Sequence, residues 1–125
     1  MVFRRFDNLI NYNLINSLKV YLLNYLMKTK LITLTNNGYK EYTQNLIESL
    51  RKLNISNLLN IYCIDPESYN FFKNNYKNNY VTYVENQFNI SDIQLFRDGN
   101  WNKVVYYKFQ IIKENLEKGY NVIFT

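Results

Sequence analysis

The feature that most constrains this chain is a change of hydrophobic period that recurs along it. Leu31–Thr35 is a short β-rich run, Asn36-Asn37-Gly38 is a polar turn, and from Tyr39 the apolar residues recur at helical steps. Tyr39, Tyr42, Leu46, Leu50 and Leu53 are expected on one helical face, with Asn54 closing the helix. The stretch Leu31–Leu53 therefore reads as strand, turn and helix, the unit that opens an α/β domain.

The alternation continues. Leu58–Ile64 is strand-like and ends at Asp65-Pro66, where Asp at the N-cap and Pro at the first helical position start a helix. That helix runs through Tyr69 and Phe72 towards Tyr76 and gives way to an Asn/Lys-rich turn over 73–79. Tyr80–Val84 is a third strand by its β-branched and aromatic content. Residues 85–100 carry no clear period and end in the turn signal Asp98-Gly99-Asn100. A long helix runs from Trp101 to Lys118, with Val105, Phe109, Ile112 and Leu116 in a narrow apolar arc expected to face the core. Gly119 stands where a left-handed C′ glycine ends a helix, and Tyr120–Thr125 is a fourth strand. This order predicts an α/β fold: a mostly parallel sheet of about four strands, right-handed crossovers and flanking helices. Ligands of such sheets bind beyond the carboxyl ends of the strands, which singles out Thr35–Tyr39, Asp65 and the position after Thr125.

Residues 1–30 form a separate N-terminal segment, and 31–125 the domain proper. Phe3, Phe6, Leu9, Ile10, Leu14, Ile15, Leu18, Leu22 and Leu26 are spaced in steps of three and four, the pattern of an amphipathic helix packing on the domain. Arg4-Arg5 ahead of an apolar stretch has the look of a signal anchor. The interruptions by Asn8, Asn11, Asn13, Asn16, Lys19 and Asn24 leave no window of about 20 apolar residues, so no membrane span is expected and a cytoplasmic location is favoured.

Composition removes several mechanisms. The chain has no His and a single Cys, so Ser–His and Cys–His catalysis, a zinc cluster and an intrachain disulfide are all excluded. Cys63 lies in an apolar run and reads as a buried thiol. The net charge is +5, but the basic residues are scattered without a stripe, which speaks against nucleic acid as a partner. Frequent Asn and the absence of Ala look like the coding bias of an A+T-rich genome, and the sequons at Asn54 and Asn89 read as accidents of it.

The segments TLTNNGY, IYCID and K-x-x-x-I-x-x-x-L-x-x-GYNVIFT together resemble the nucleotide-diphospho-sugar transferases, glycosyltransferases of the Rossmann-like GT-A fold. The resemblance covers roughly 31–125 and implies the nucleotide-binding half of an enzyme that transfers a sugar from a nucleotide-diphosphate donor, UDP-type by preference. It implies Thr35, Asn37 and Tyr39 as base and ribose contacts, Asp65 as a ribose acceptor and Lys108 as a diphosphate or sugar contact. The residues themselves leave other readings open: a turn for Asn36-Asn37-Gly38, core cover for Tyr39, an N-cap for Asp65 and a snorkelling edge position for Lys108. In the family the last strand runs into an Asp-x-Asp motif that holds Mn2+, or Mg2+, against the diphosphate. No such motif occurs here, so no catalytic or metal-ligating residue is assigned and the chain alone is expected to be inactive. The competing expectation is a non-catalytic interaction module that self-associates, or pairs with a partner chain, through an exposed sheet edge.

Overall fold

The computed structural model describes residues 5–85, 90–94 and 99–125, and along the first helix the side chains of 13–24. Arg4 of the signal-anchor pattern, Asn89 of the second sequon and Asp98 of the turn lie outside the described residues. The elements in order are α1 (Arg5–Met27), β1 (Thr29–Thr35), α2 (Lys40–Lys52), β2 (Leu59–Cys63), α3 (Pro66–Asn75), β3 (Tyr80–Tyr83), α4 (Trp101–Glu117) and β4 (Asn121–Phe124). Single 3-10 turns, Asn37–Tyr39 and Ser56–Leu58, precede α2 and β2.

The four strands form one sheet in the order β3-β2-β1-β4, and every pairing is parallel. This is the expected α/β Rossmann-like arrangement preceded by a helix. β1 begins at Thr29 rather than Leu31 because Thr29 and Lys30 find register partners in Asn121 and Val122 of β4. From β1 the chain steps outward to β2 and β3, then crosses back to place β4 on the far side of β1. The direction of winding therefore reverses between β1 and β4, the switch point at which sheets of this type open a crevice.

Strand alternation divides the core between the two faces of the sheet. Leu59, Ile61 and Cys63 of β2 pack with Ile47 of α2 and Phe72 of α3 in one cluster. Ile64, just past β2, packs with Ile90 and with Tyr107 of α4 in the other. Asp65 caps α3 by accepting from the Ser68 N–H, with Pro66 in the first turn, as the sequence predicts. Two helix ends close as Schellman motifs. Asn54 (φ 58°) and Gly119 (φ 88°) take the left-handed position. Ile55 and Tyr120 donate back to the Leu50 and Asn115 carbonyls, and Asn54 and Gly119 to those of Arg51 and Leu116.

Three helical faces, on α1, α2 and α4, differ from expectation. On α2 the buried residues are Thr43 and Ile47, with Leu46 and Leu50 partly covered, while Tyr42 and Leu53 are exposed. On α4 the buried residues are Tyr107, Ile111 and Asn115, whereas Phe109 and Leu116 of the expected core arc are 63% and 53% exposed. The reason is that α4 carries two apolar stripes, and the one bearing Val104, Tyr107 and Ile111 meets the sheet. Its polar member Asn115 donates through Nδ2 to the Tyr62 hydroxyl at 3.2 Å and the Ile111 carbonyl at 2.8 Å, while its buried Oδ1 has no hydrogen-bond partner among the described residues. On α1, residues 13–24 are exposed throughout, including Leu14, Leu18, Tyr21 and Leu22. Among the described residues no helix is long and apolar enough to cross a membrane.

The assignment of the α4 faces has a direct test. In urea denaturation of a dilute sample, Ile111→Ala is expected to cost about 2–5 kcal/mol and Leu116→Ala less than about 1 kcal/mol. The reverse order would restore the arc expected from sequence.

Candidate functional site

At the carboxyl end of the sheet, where β1 and β4 part, lies a cavity of about 160 Å³ lined by Leu34, Thr35, Asn36, Tyr39, Ile64, Val104, Val105, Lys108 and Phe124. Its lining is mostly apolar, and among the described residues it has one cationic side chain and no carboxylate. Lys108 Nζ sits 4.8 Å from the centre of the Phe124 ring, a cation–π contact between two of the lining residues.

The wall of the cavity is built by the turn after β1. Asn36 is fully buried, and its side chain bonds to three backbone groups. Its Oδ1 accepts from the Tyr39 N–H at 3.1 Å, which caps the 3-10 turn, and its Nδ2 donates to the carbonyls of Ile90 at 3.0 Å and Asp92 at 2.9 Å. Two neighbours tie down the same segment. The Gly38 N–H donates to the Ser91 carbonyl at 2.6 Å. The Tyr39 hydroxyl donates to the Gln94 carbonyl at 3.0 Å and accepts from the Gln94 N–H at 3.1 Å. Residues 90–94, part of the connection from β3 to α4, are thus stapled onto the turn. Gly38 is required by that approach: a Cβ there would stand 2.5 Å from Ile93 N and 2.7 Å from the Asp92 carbonyl carbon.

Of the residues singled out by sequence, Thr35, Tyr39 and Lys108 line the cavity, and Asn37 and Asp65 do not. Thr35 is buried, and its hydroxyl accepts from Thr43 Oγ1 at 2.8 Å and donates to the Asn36 carbonyl at 3.3 Å. Asn37 has an exposed side chain, and its N–H donates to Asp65 Oδ2 at 2.9 Å. Asp65 is fully buried; its other oxygen takes the Ser68 N–H at 3.1 Å and the Ser68 hydroxyl. Both carboxylate oxygens are therefore engaged within the chain, one capping α3 and one bracing the β1 turn. Phe124 is not singled out by the sequence, and Asn36 only as part of the stretch Thr35–Tyr39 and its turn and cap. The signal for Asn36 was present in the position of Asn before a Gly-containing turn, but an N-cap does not announce a second use of its amide.

A divalent cation does not fit these donors. Among the described residues no group of three or more Cys, Asp or Glu side chains is placed to hold a metal, and the cavity presents an ammonium where the metal would need carboxylates.

No family model, curated protein or solved structure matches this chain.

Cys63, buried beneath α3, has its thiol pushed up to about 12, chiefly by burial and further by the Asp65 charge, against a lowering by its Ser68 hydrogen bond. A folded-state value above the unfolded one means that the folded chain holds the proton more tightly. The resulting stability is complete below about pH 9 and is lost as pH rises towards 12. Wild type is therefore expected to lose stability across that window at up to about 1.4 kcal/mol per pH unit relative to Cys63→Ala, measured by urea denaturation. Identical slopes for the two proteins would contradict it.

The staple is tested at Gly38. Gly38→Ala is expected to destabilise by about 1–3 kcal/mol and to speed hydrogen exchange of the backbone amides within 90–94, leaving the amides of β2 protected. Unchanged exchange in 90–94 would show that the close approach does not constrain the chain.

Proposed function

We propose that this chain is the nucleotide-sugar-binding half of a glycosyltransferase-like protein, with the switch-point cavity as its nucleotide site. The observation that supports this reading is the coincidence of three properties at one place. The cavity lies past the carboxyl ends of a doubly wound parallel sheet, it is walled by the aromatic rings of Tyr39 and Phe124, and the charge among its described lining residues is the cation Lys108.

The chemistry follows from size and polarity. Sites for drug-sized ligands usually span ~300–1,000 Å³. A cavity of about 160 Å³ accommodates one planar ring rather than a whole nucleoside diphosphate. In this proposal a pyrimidine base enters between the apolar walls, the ribose and diphosphate lie at the mouth, and Lys108 meets the negative charge. Thr35 contributes to the wall. Asn37 and Asp65 support the turn rather than reach the ligand, Asp65 bracing it through the Asn37 N–H. The role proposed for these residues is binding, and no bond-breaking step is assigned to them.

Titration of the 15N-labelled chain with UDP, without added metal, is the test. Shifts are expected at Tyr39, Val104, Lys108 and Phe124, and Lys108→Met is expected to weaken binding about fivefold, corresponding to about 1 kcal/mol. Absence of shifts at millimolar UDP, or shifts confined to residues away from the cavity, would overturn the proposal. A non-catalytic interaction module is the second reading, favoured by the apolar stripe that α4 leaves in solvent.

A further inference from the structure

The amino end of the sheet, opposite the switch-point cavity, carries a second and larger opening. It is a groove of about 390 Å³, within the ~300–1,000 Å³ usual for small-molecule sites. All four strands supply it: Lys30 and Asn60 stand near the starts of β1 and β2, Tyr80 opens β3, and Tyr120 directly precedes β4. Register puts Lys30, Asn60 and Tyr80 on one face. Asn60 pairs with both Ile32 and Tyr80, and Lys30 stands two residues before Ile32. α4 packs on this face too, but the cluster that joins it to Leu34, Ile64 and Val84 lies at the carboxyl end.

The lining restricts what can bind. Tyr80 is 75% exposed, the largest exposure of any bulky apolar or aromatic side chain among the described residues. Lys30 Nζ lies 4.0 Å from the centre of the Tyr120 ring, which commits the one cation of the described lining to an aromatic face. That lining holds no carboxylate, so an anion meets no uncommitted charge and a cation meets no counter-charge. Asn60 Nδ2 donates to the carbonyls of Leu31 and Leu58, each at 3.2 Å, which leaves its Oδ1 to a ligand. Asn57 adds an exposed amide with donors and an acceptor.

We propose that this groove binds a neutral saccharide, with one pyranose ring laid against Tyr80. The C–H groups of a pyranose ring carry partial positive charge and suit the negative face of a tyrosine, while the hydroxyls around its rim need both donors and acceptors. The groove combines those requirements: the Tyr80 ring, the Asn60 acceptor, and the Asn57 amide and Lys30 ammonium as donors. A nucleobase also stacks on tyrosine, but its phosphates need cations, and Lys30 is held on Tyr120. Lys30 and Leu34 of the switch-point cavity lie about 13 Å apart along β1, so the two sites are distinct and the saccharide proposal does not rest on nucleotide binding.

Titration of the 15N-labelled whole chain with cellobiose and with maltose, up to tens of millimolar, is the test. Mannitol serves as a polyol without a ring, and an oligothymidylate as a stacking competitor. Saturating shifts from at least one disaccharide are expected at Asn60, Tyr80 and Tyr120, with no response to mannitol. Tyr80→Ala is expected to weaken that binding at least ~tenfold with unchanged circular dichroism, and Tyr80→Phe to keep it within about twofold, because the ring is the platform. Absence of saturating shifts with both disaccharides, or shifts centred on Lys108 instead, would overturn the proposal. So would equal shifts with mannitol, binding indifferent to Tyr80→Ala, or a groove that answers the oligothymidylate and neither saccharide.

Discussion

The side chain of Asn36 is the interaction on which the carboxyl end of this sheet depends. One buried amide caps the turn after β1 and holds the connection that leads to α4, so the same three bonds tie the wall of the cavity to that connection. A buried amide left without partners costs about 1–3 kcal/mol per lost group, which makes the arrangement close to all-or-none. Asp65 does the equivalent task one strand over, capping α3 with one oxygen and bracing the turn with the other. Together the two residues explain how a surface turn is held firmly enough to carry a site.

Local chemistry made part of the fold legible in the sequence. Asp65-Pro66 marked the start of α3, Asn54 and Gly119 marked two helix ends, and the alternation of periods marked a parallel sheet. These signals act within a few residues and do not depend on the rest of the chain. The faces of α2 and α4 were not legible in the same way. On α4 the stripe of Val105, Phe109, Ile112 and Leu116 is the more regular apolar pattern, yet the sheet selects Val104, Tyr107, Ile111 and Asn115. Periodicity states that a helix has an apolar side and is silent on which of two such sides a sheet will take.

The candidate site was legible in part for a related reason. The rule that ligands lie beyond strand ends led to Thr35 and Tyr39, and the family resemblance to Lys108; all three line the cavity. Neither could reveal that the Thr35 hydroxyl and both Asp65 oxygens are already bonded within the chain: the Asp65–Asn37 bond joins two strand ends 28 residues apart, and the Thr35–Thr43 bond crosses from strand to helix. Phe124 entered unannounced because a residue of an outer strand gives no sign of which helix will cover it.

The bonds at Asn36 also bear on the order in which the molecule can assemble. They join residues 54 and 56 positions apart, across β2, α3 and β3. Closing loops of that length costs entropy that no local contact returns, and the amide gains its partners only once the third strand has been laid down and the chain has turned back. The cavity is thus a property of the completed crossover. Neither the strand–turn–helix unit that opens the sheet nor the long helix beside it contains the site by itself.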